Sequence, residues 1–108
     1  MNKYSDKSDF EINKAVFVAA KINHDDTDLS GSKVFYGNGA KWIEFDPCNN
    51  PADAIPIVIE NGISLISDWN EIGVWGATNQ PWFTSENKNP LRAAMEVFLM
   101  MKDAENEK

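Results

Sequence analysis

A dozen residues near the middle of the chain, Phe45-Asp46-Pro47-Cys48-Asn49-Asn50-Pro51-Ala52-Asp53-Ala54-Ile55-Pro56, constrain its fold more than any other stretch. They stop a strand, turn the chain and start a helix. Asp46-Pro47 favours a turn, because the proline ring pushes its predecessor out of the helical region. Asn50 reads as a helix cap and Pro51 as the first helical residue, where a missing N–H costs nothing. Asp53, three after the cap, is placed to reach back to the cap's own N–H and to meet the positive helix end. The helix is expected from Pro51 to Asn61, ending at Gly62 as a left-handed C-cap. Pro56, at the sixth helical position, removes a bond and crowds the preceding turn. A kink is therefore expected, or a helix that starts properly only at Ile55. The signal is architectural and carries no catalytic signature.

Upstream, Ser8-Asp9-Phe10-Glu11 is a capping box. Ile12, Val16, Ala19 and Ala20 follow at helical spacing, predicting an amphipathic helix from Asp9 to Ile22. Asn23 to Ser32 reads as a polar, acidic connector. His24, Asp26 and Asp28 tempt a metal-site reading, but the further oxygen ligands, bend glycine and distal Glu of a calcium loop are absent. In Val34 to Phe45, Asn38-Gly39 predicts a two-residue hairpin turn, pairing Phe35 with Trp42, Val34 with Ile43 and Lys33 with Glu44. Tyr36 and Phe45 fall on one face, Phe35 and Trp42 on the other. A sheet apolar on both faces wants helices above and below.

Downstream, Ile63 to Ser67 reads as a strand, Asp68-Trp69-Asn70 as a turn, and Ile72 to Ala77 as a strand weakened by two glycines. Trp82-Phe83-Thr84 is a short strand or an aromatic anchor, and Ser85 to Lys88 a loop. Asn89 and Pro90 repeat the Asn-Pro start and open a last helix, apolar from Leu91 to Met101 except at Arg92 and Glu96. So wide an apolar surface means deep burial, or burial plus a partner. Asp103 to Lys108 reads as a charged, fraying tail.

A chain of 108 residues is one domain, able to bury roughly 65% of its unfolded surface. No apolar run approaches the roughly 18 residues of a membrane span, and the first residues show no signal-peptide pattern. The single cysteine, Cys48, excludes an internal disulfide and fits a reducing cytoplasm. Seventeen acidic against ten basic residues give a net charge of −7. With no Lys/Arg cluster, direct nucleic-acid binding is not expected. A basic protein partner suits the charge better.

Four segments, Asp9 to Val16, Phe45 to Pro56, Glu60-Asn61-Gly62-Ile63-Ser64 and Asn89-Pro90-Leu91-Arg92-Ala93-Ala94-Met95, share an order and spacing that spans nearly the whole chain. In that order they resemble a family of small proteins of tailed phages and enterobacterial prophages, similar to NinX and grouped as a phage alpha-beta-alpha sandwich domain. The resemblance implies an α+β sandwich made in the infected bacterium's cytoplasm, and a role against or upon the host. It brings no catalytic residues. Asn23 to Ser32 and Trp69 to Lys88 match the family least.

The expected fold is α+β: a three-layer sandwich with a central, mainly antiparallel sheet of four or five strands, in the order α-β-β-α-β-β-α, and helices on both faces. No base stands beside a nucleophile, and no glycine loop cradles a phosphate. No cofactor or metal is expected, and no membrane association. The candidates for contact with a host or phage protein are Trp69, Trp75 and Trp82, Arg92, and the acidic residues Asp25, Asp26 and Asp28. Trp69 and Trp82 are favoured for exposure because they adjoin turns; Arg92 pairs with Asp53 or Glu96 or else marks a contact surface. Two other readings stand beside a non-enzymatic binding protein, monomeric or weakly dimeric. One is an acidic mimic of nucleic acid using Asp25, Asp26, Asp28, Glu44, Asp46, Glu60 and Asp68. The other is a small metal-dependent hydrolase centred on His24, Asp25, Asp26 and Asp28.

Overall fold

A computed structural model of the chain describes residues 3–22, 24, 26–79 and 83–106. The elements follow the order α1 (Asp9–Ala19), β1 (Thr27–Ser30), β2 (Lys33–Asn38), β3 (Lys41–Phe45), α2 (Pro51–Glu60), β4 (Ser64–Ile66), β5 (Trp75–Asn79), β6 (Phe83–Asn87) and α3 (Pro90–Asn106). The class is α+β, but the single central sheet is not there. The strands form two three-stranded antiparallel meanders, β1-β2-β3 and β4-β5-β6. They are completed by β1, which the sequence placed in a connector, and by β6, where it offered a short strand or an aromatic anchor at Trp82-Phe83-Thr84 and a loop from Ser85 to Lys88.

The expectation of helices on both faces of one sheet also fails. α3 packs on the second sheet, α1 packs on β2 of the first, and both α1 and α2 pack on α3. The helices thus meet one another between the two sheets. The first sheet buries one face, whereas the second also buries Gly76 and Thr78 on the face away from α3. On the first, Val34 and Phe45 are in the core, whereas Trp42, on the opposite face, is 57% exposed.

The hairpin register explains that difference. Asn38 pairs with Lys41, so the turn residues are Gly39 and Ala40, and Val34 faces Phe45 while Gly37 faces Trp42. Only Gly39 of the turn has positive φ, +68°, the pattern of a turn with glycine at its first central position. Gly31, at +62°, does the same between Ser30 and Lys33, which pair across the β1–β2 turn. The register is two residues from the expected one, a shift that leaves each side chain on its face.

The local start signals hold. Ser8 and Glu11 form a reciprocal capping box. Asn50 Oδ1 accepts the Ala52 N–H at 3.0 Å, and Asn89 Oδ1 accepts the Leu91 N–H at 2.9 Å. Several boundaries differ. α1 stops at Ala19, because Lys21 adopts a left-handed conformation (φ 54°) and reverses the chain. α2 runs unbroken through Pro56; that residue and Ala52, whose carbonyl loses its partner, are exposed, so the freed group faces solvent. α3 continues to Asn106, and its Asp103 accepts from the Tyr4 hydroxyl and pairs with Lys3 Nζ at 3.1 Å.

In the second sheet, Ala77 is fully buried under α3, and Gly76 points to the other face. There Trp69 folds back from the β4–β5 connection. A Cβ on Gly76 would lie 2.4 Å from the Trp69 ring, far inside contact distance. Gly76→Ala should therefore cost about 1–3 kcal/mol, as overpacking does. In a Trp69→Ala background the same change should cost much less. Urea midpoints of the four proteins measure this; equal costs in both backgrounds would contradict the packing.

Candidate functional site

α1 ends on the left-handed Lys21, so the chain doubles back and lays β1 beside the helix it has just left. Between them is a cavity of about 500 Å³, lined by Lys14, Phe17, Val18, Lys21, Ile22, His24, Thr27, Leu29 and Val34. That volume lies within the usual range of ligand-sized clefts. Its floor is aromatic. Phe17 is buried and sits 4.9 Å from the His24 ring, 5.6 Å from Tyr36 and 5.5 Å from Phe45. Its mouth is apolar and open: Val18 is 72% and Leu29 49% exposed. Lys14 and Lys21 stand at the mouth, Lys14 Nζ lying 5.2 Å over the Phe10 ring. Neither lysine makes an ion pair among the described residues. His24 Nδ1 lies 2.7 Å from the Ile22 carbonyl oxygen, so that nitrogen is the donor.

β1 is an edge strand. The Gly37 N–H donates to the Asp26 carbonyl at 2.8 Å, which makes Asp26 a hydrogen-bonded position of the ladder. By antiparallel alternation Asp28 is also bonded to β2, whereas the backbone groups of Thr27 and Leu29 point to the open edge. The Asp26 carboxylate accepts the Thr27 N–H at 2.8 Å. The two residues whose side chains line the cavity are those whose backbones face outward.

Elsewhere polar chemistry is turned inward. Arg92 is 6% exposed. Its Nε donates to Glu96 at 2.6 Å and its Nη1 to Asp9 at 2.7 Å. Its Nη2 donates to the carbonyls of Tyr4 and Lys7. Burial works against its charge, yet the bonds to Asp9 and Glu96 raise its pKa above the usual guanidinium value. Glu96 also accepts from Ser85 of β6. Cys48 is fully buried; its backbone N–H donates to Asn13 Oδ1 at 3.1 Å and its carbonyl accepts from Asn89 Nδ2 at 2.6 Å. Burial, and next the charge of Asp9, push its thiol well up, so the thiolate needed of a nucleophile is suppressed. Among the described residues no three His, Cys, Asp or Glu side chains converge as a metal site.

The family model described as Bacteriophage P22, NinX matches residues 3–102. The chain belongs to this phage NinX family. A search of curated proteins finds no match. Membership makes the chain a phage-encoded accessory protein, and no helix among the described residues is long and apolar enough to cross a membrane.

In this NinX-family chain the residues singled out from sequence do not form one site. Trp69 is half-buried against Gly76, and Trp75 is half-buried on the α3 side of the second sheet. Arg92 is interior, paired with Glu96 and Asp9 and not with Asp53. Asp26 and Asp28 are exposed beside the groove. Trp82 and Asp25 lie outside the described residues. Sequence reasoning missed Lys14, Val18, Lys21 and Leu29. The one available signal was that Val18 departs from the apolar stripe of α1. It also missed Trp42, whose outward placement follows from the one-sided burial of its sheet.

Asp53 does not cap its own helix. Its Oδ2 accepts the Asp46 N–H at 2.9 Å. Partial burial, aided by the charges of Asp46 and Glu44, raises its pKa above the ordinary 3.8 despite that bond. As pH rises past 3.8 the unfolded chain loses this proton first, so stability declines up to the folded-state value. Asp53→Asn keeps an acceptor for Asp46 and removes the charge. It should unfold at equal or higher urea concentration at pH 7 and lack that decline, as paired urea titrations across pH will measure.

Proposed function

We propose that this phage accessory protein acts by binding another protein, of the host or of the phage, in the cytoplasm of the infected cell. The observation that carries this reading is the open apolar groove between α1 and β1. It exposes Val18 and Leu29 beside two lysines, on a chain whose net charge is −7. Exposed apolar surface rimmed by polar groups is the usual mark of an interaction site. The interior polar groups support the same reading, since Arg92, Glu96, Asn13 and Cys48 are occupied in holding the fold.

The nucleic-acid mimic finds less support. Asp28 and Glu44 flank Phe35 on the first sheet, while Asp46 and Asp68 accept bonds within their own turns and Glu60 ends α2. Beyond the Asp28 and Glu44 pair, these carboxylates are drawn from separate elements and turns. The hydrolase reading keeps His24 and Asp26, one held by the Ile22 carbonyl and the other by the Thr27 N–H.

Affinity capture from phage-infected cells tests the proposal. A stoichiometric protein should be retained by the native chain and lost with a Val18→Glu, Leu29→Glu variant. Both substitutions are at exposed positions, so the unfolding free energy from urea titration should change by no more than about 0.5 kcal/mol. No retained partner, or one unaffected by the double variant, would contradict it.

A further inference from the structure

We propose that the groove receives an extended, acidic segment of the partner, which adds as a fourth strand to the open edge of β1. It would seat one large apolar side chain between Val18 and Leu29. This inference rests on the protein-binding reading and adds the chemistry of what is bound.

The geometry supplies each part of that recognition. The C=O of Thr27 and the N–H and C=O of Leu29 face away from β2, with no strand on that edge among the described residues. Strand addition uses such groups for affinity, and takes specificity from pockets beneath alternate side chains. Here the pocket adjoins the same two residues, because Thr27 and Leu29 line the cavity. An incoming strand in register would therefore point alternate side chains over the Phe17 floor. The edge is only partly protected. The Asp26 carboxylate covers the Thr27 N–H at one end, but β1 carries neither proline nor lysine, the usual blocks to strand addition. Charge selects the occupant: Lys14 and Lys21 line the groove, on a chain whose net charge is −7. Acidic residues flanking an apolar one satisfy both lysines and the cavity. A basic segment would meet the lysines with like charge.

Two labelled peptides of alternating leucine and threonine, one ending in glutamates and the other in lysines, test this by fluorescence anisotropy and by amide shifts of the labelled protein. The glutamate peptide should bind about tenfold more tightly, the advantage shrinking with salt as exposed ion pairs do. Amide shifts should concentrate on β1 and the C-terminal half of α1. Leu29→Pro removes an outward N–H that β2 does not use, and should abolish binding with the fold intact by circular dichroism. Val18→Glu should weaken it by about tenfold or more, and a Lys14→Glu, Lys21→Glu variant should reverse the peptide preference. Equal binding of the two peptides, shifts centred on β3, or undiminished binding to Leu29→Pro would overturn the proposal. So would absence of binding by either peptide. Should capture still retain a partner that depends on Val18 and Leu29, strand addition fails while protein binding stands.

Discussion

A guanidinium inside an apolar core must be surrounded by acceptors, and the rest of this structure is arranged around how Arg92 meets that demand. Its partners come from three places in the chain: the carbonyls of Tyr4 and Lys7, the Asp9 side chain at the start of α1, and Glu96 one turn along α3. Glu96 carries the network on to Ser85 of β6. One side chain thereby holds the N-terminal segment, the first helix, the last helix and the second sheet in fixed relation. Leaving either charge unpaired would cost several kcal/mol, so arrangements that separate these elements are strongly disfavoured.

The turn at Cys48 adds a second tie at the same end of the molecule. Asn13 of α1 and Asn89 at the start of α3 bind the two sides of one buried residue, and Asn50 starts α2 immediately afterwards. All three helices are thus anchored near one point, which draws them together between the sheets. The first sheet is left one-sided, its outer face carrying Trp42 and Phe35, while the outer face of the second carries Ile66 and is covered at Gly76 by Trp69. The groove arises at the far end of α1, away from these ties, where the helix stops and the chain reverses.

What was legible in the sequence was local. The Ser8 box and the two Asn-Pro starts depend on bonds within four residues, and all three stand where the residues placed them. The hairpin at Gly39 was legible as a hairpin but not in register, because either two-residue loop satisfies a positive φ at that glycine. β1 was not legible, and β6 only at its start, where Phe83-Thr84 read as a short strand or an aromatic anchor. Thr27–Ser30 and Phe83–Asn87 are short and largely polar, and become strands only through the neighbours that pair with them. The buried role of Arg92 was half legible, since Glu96 stands at helical spacing while Asp9 is distant in sequence. The groove could not be read, because Val18 and Leu29 come together only through the left-handed residue that ends α1.

The claim that the Arg92 network organises the fold is tested most directly by a double-mutant cycle of Arg92→Met and Glu96→Leu in urea unfolding. Each single change leaves a buried charge without one of its partners and should cost about 3–5 kcal/mol. The double variant should cost well below the sum, because the charge that each single change strands is then gone. Small, additive costs of the size seen for surface pairs, about 0.2–1 kcal/mol, would contradict it.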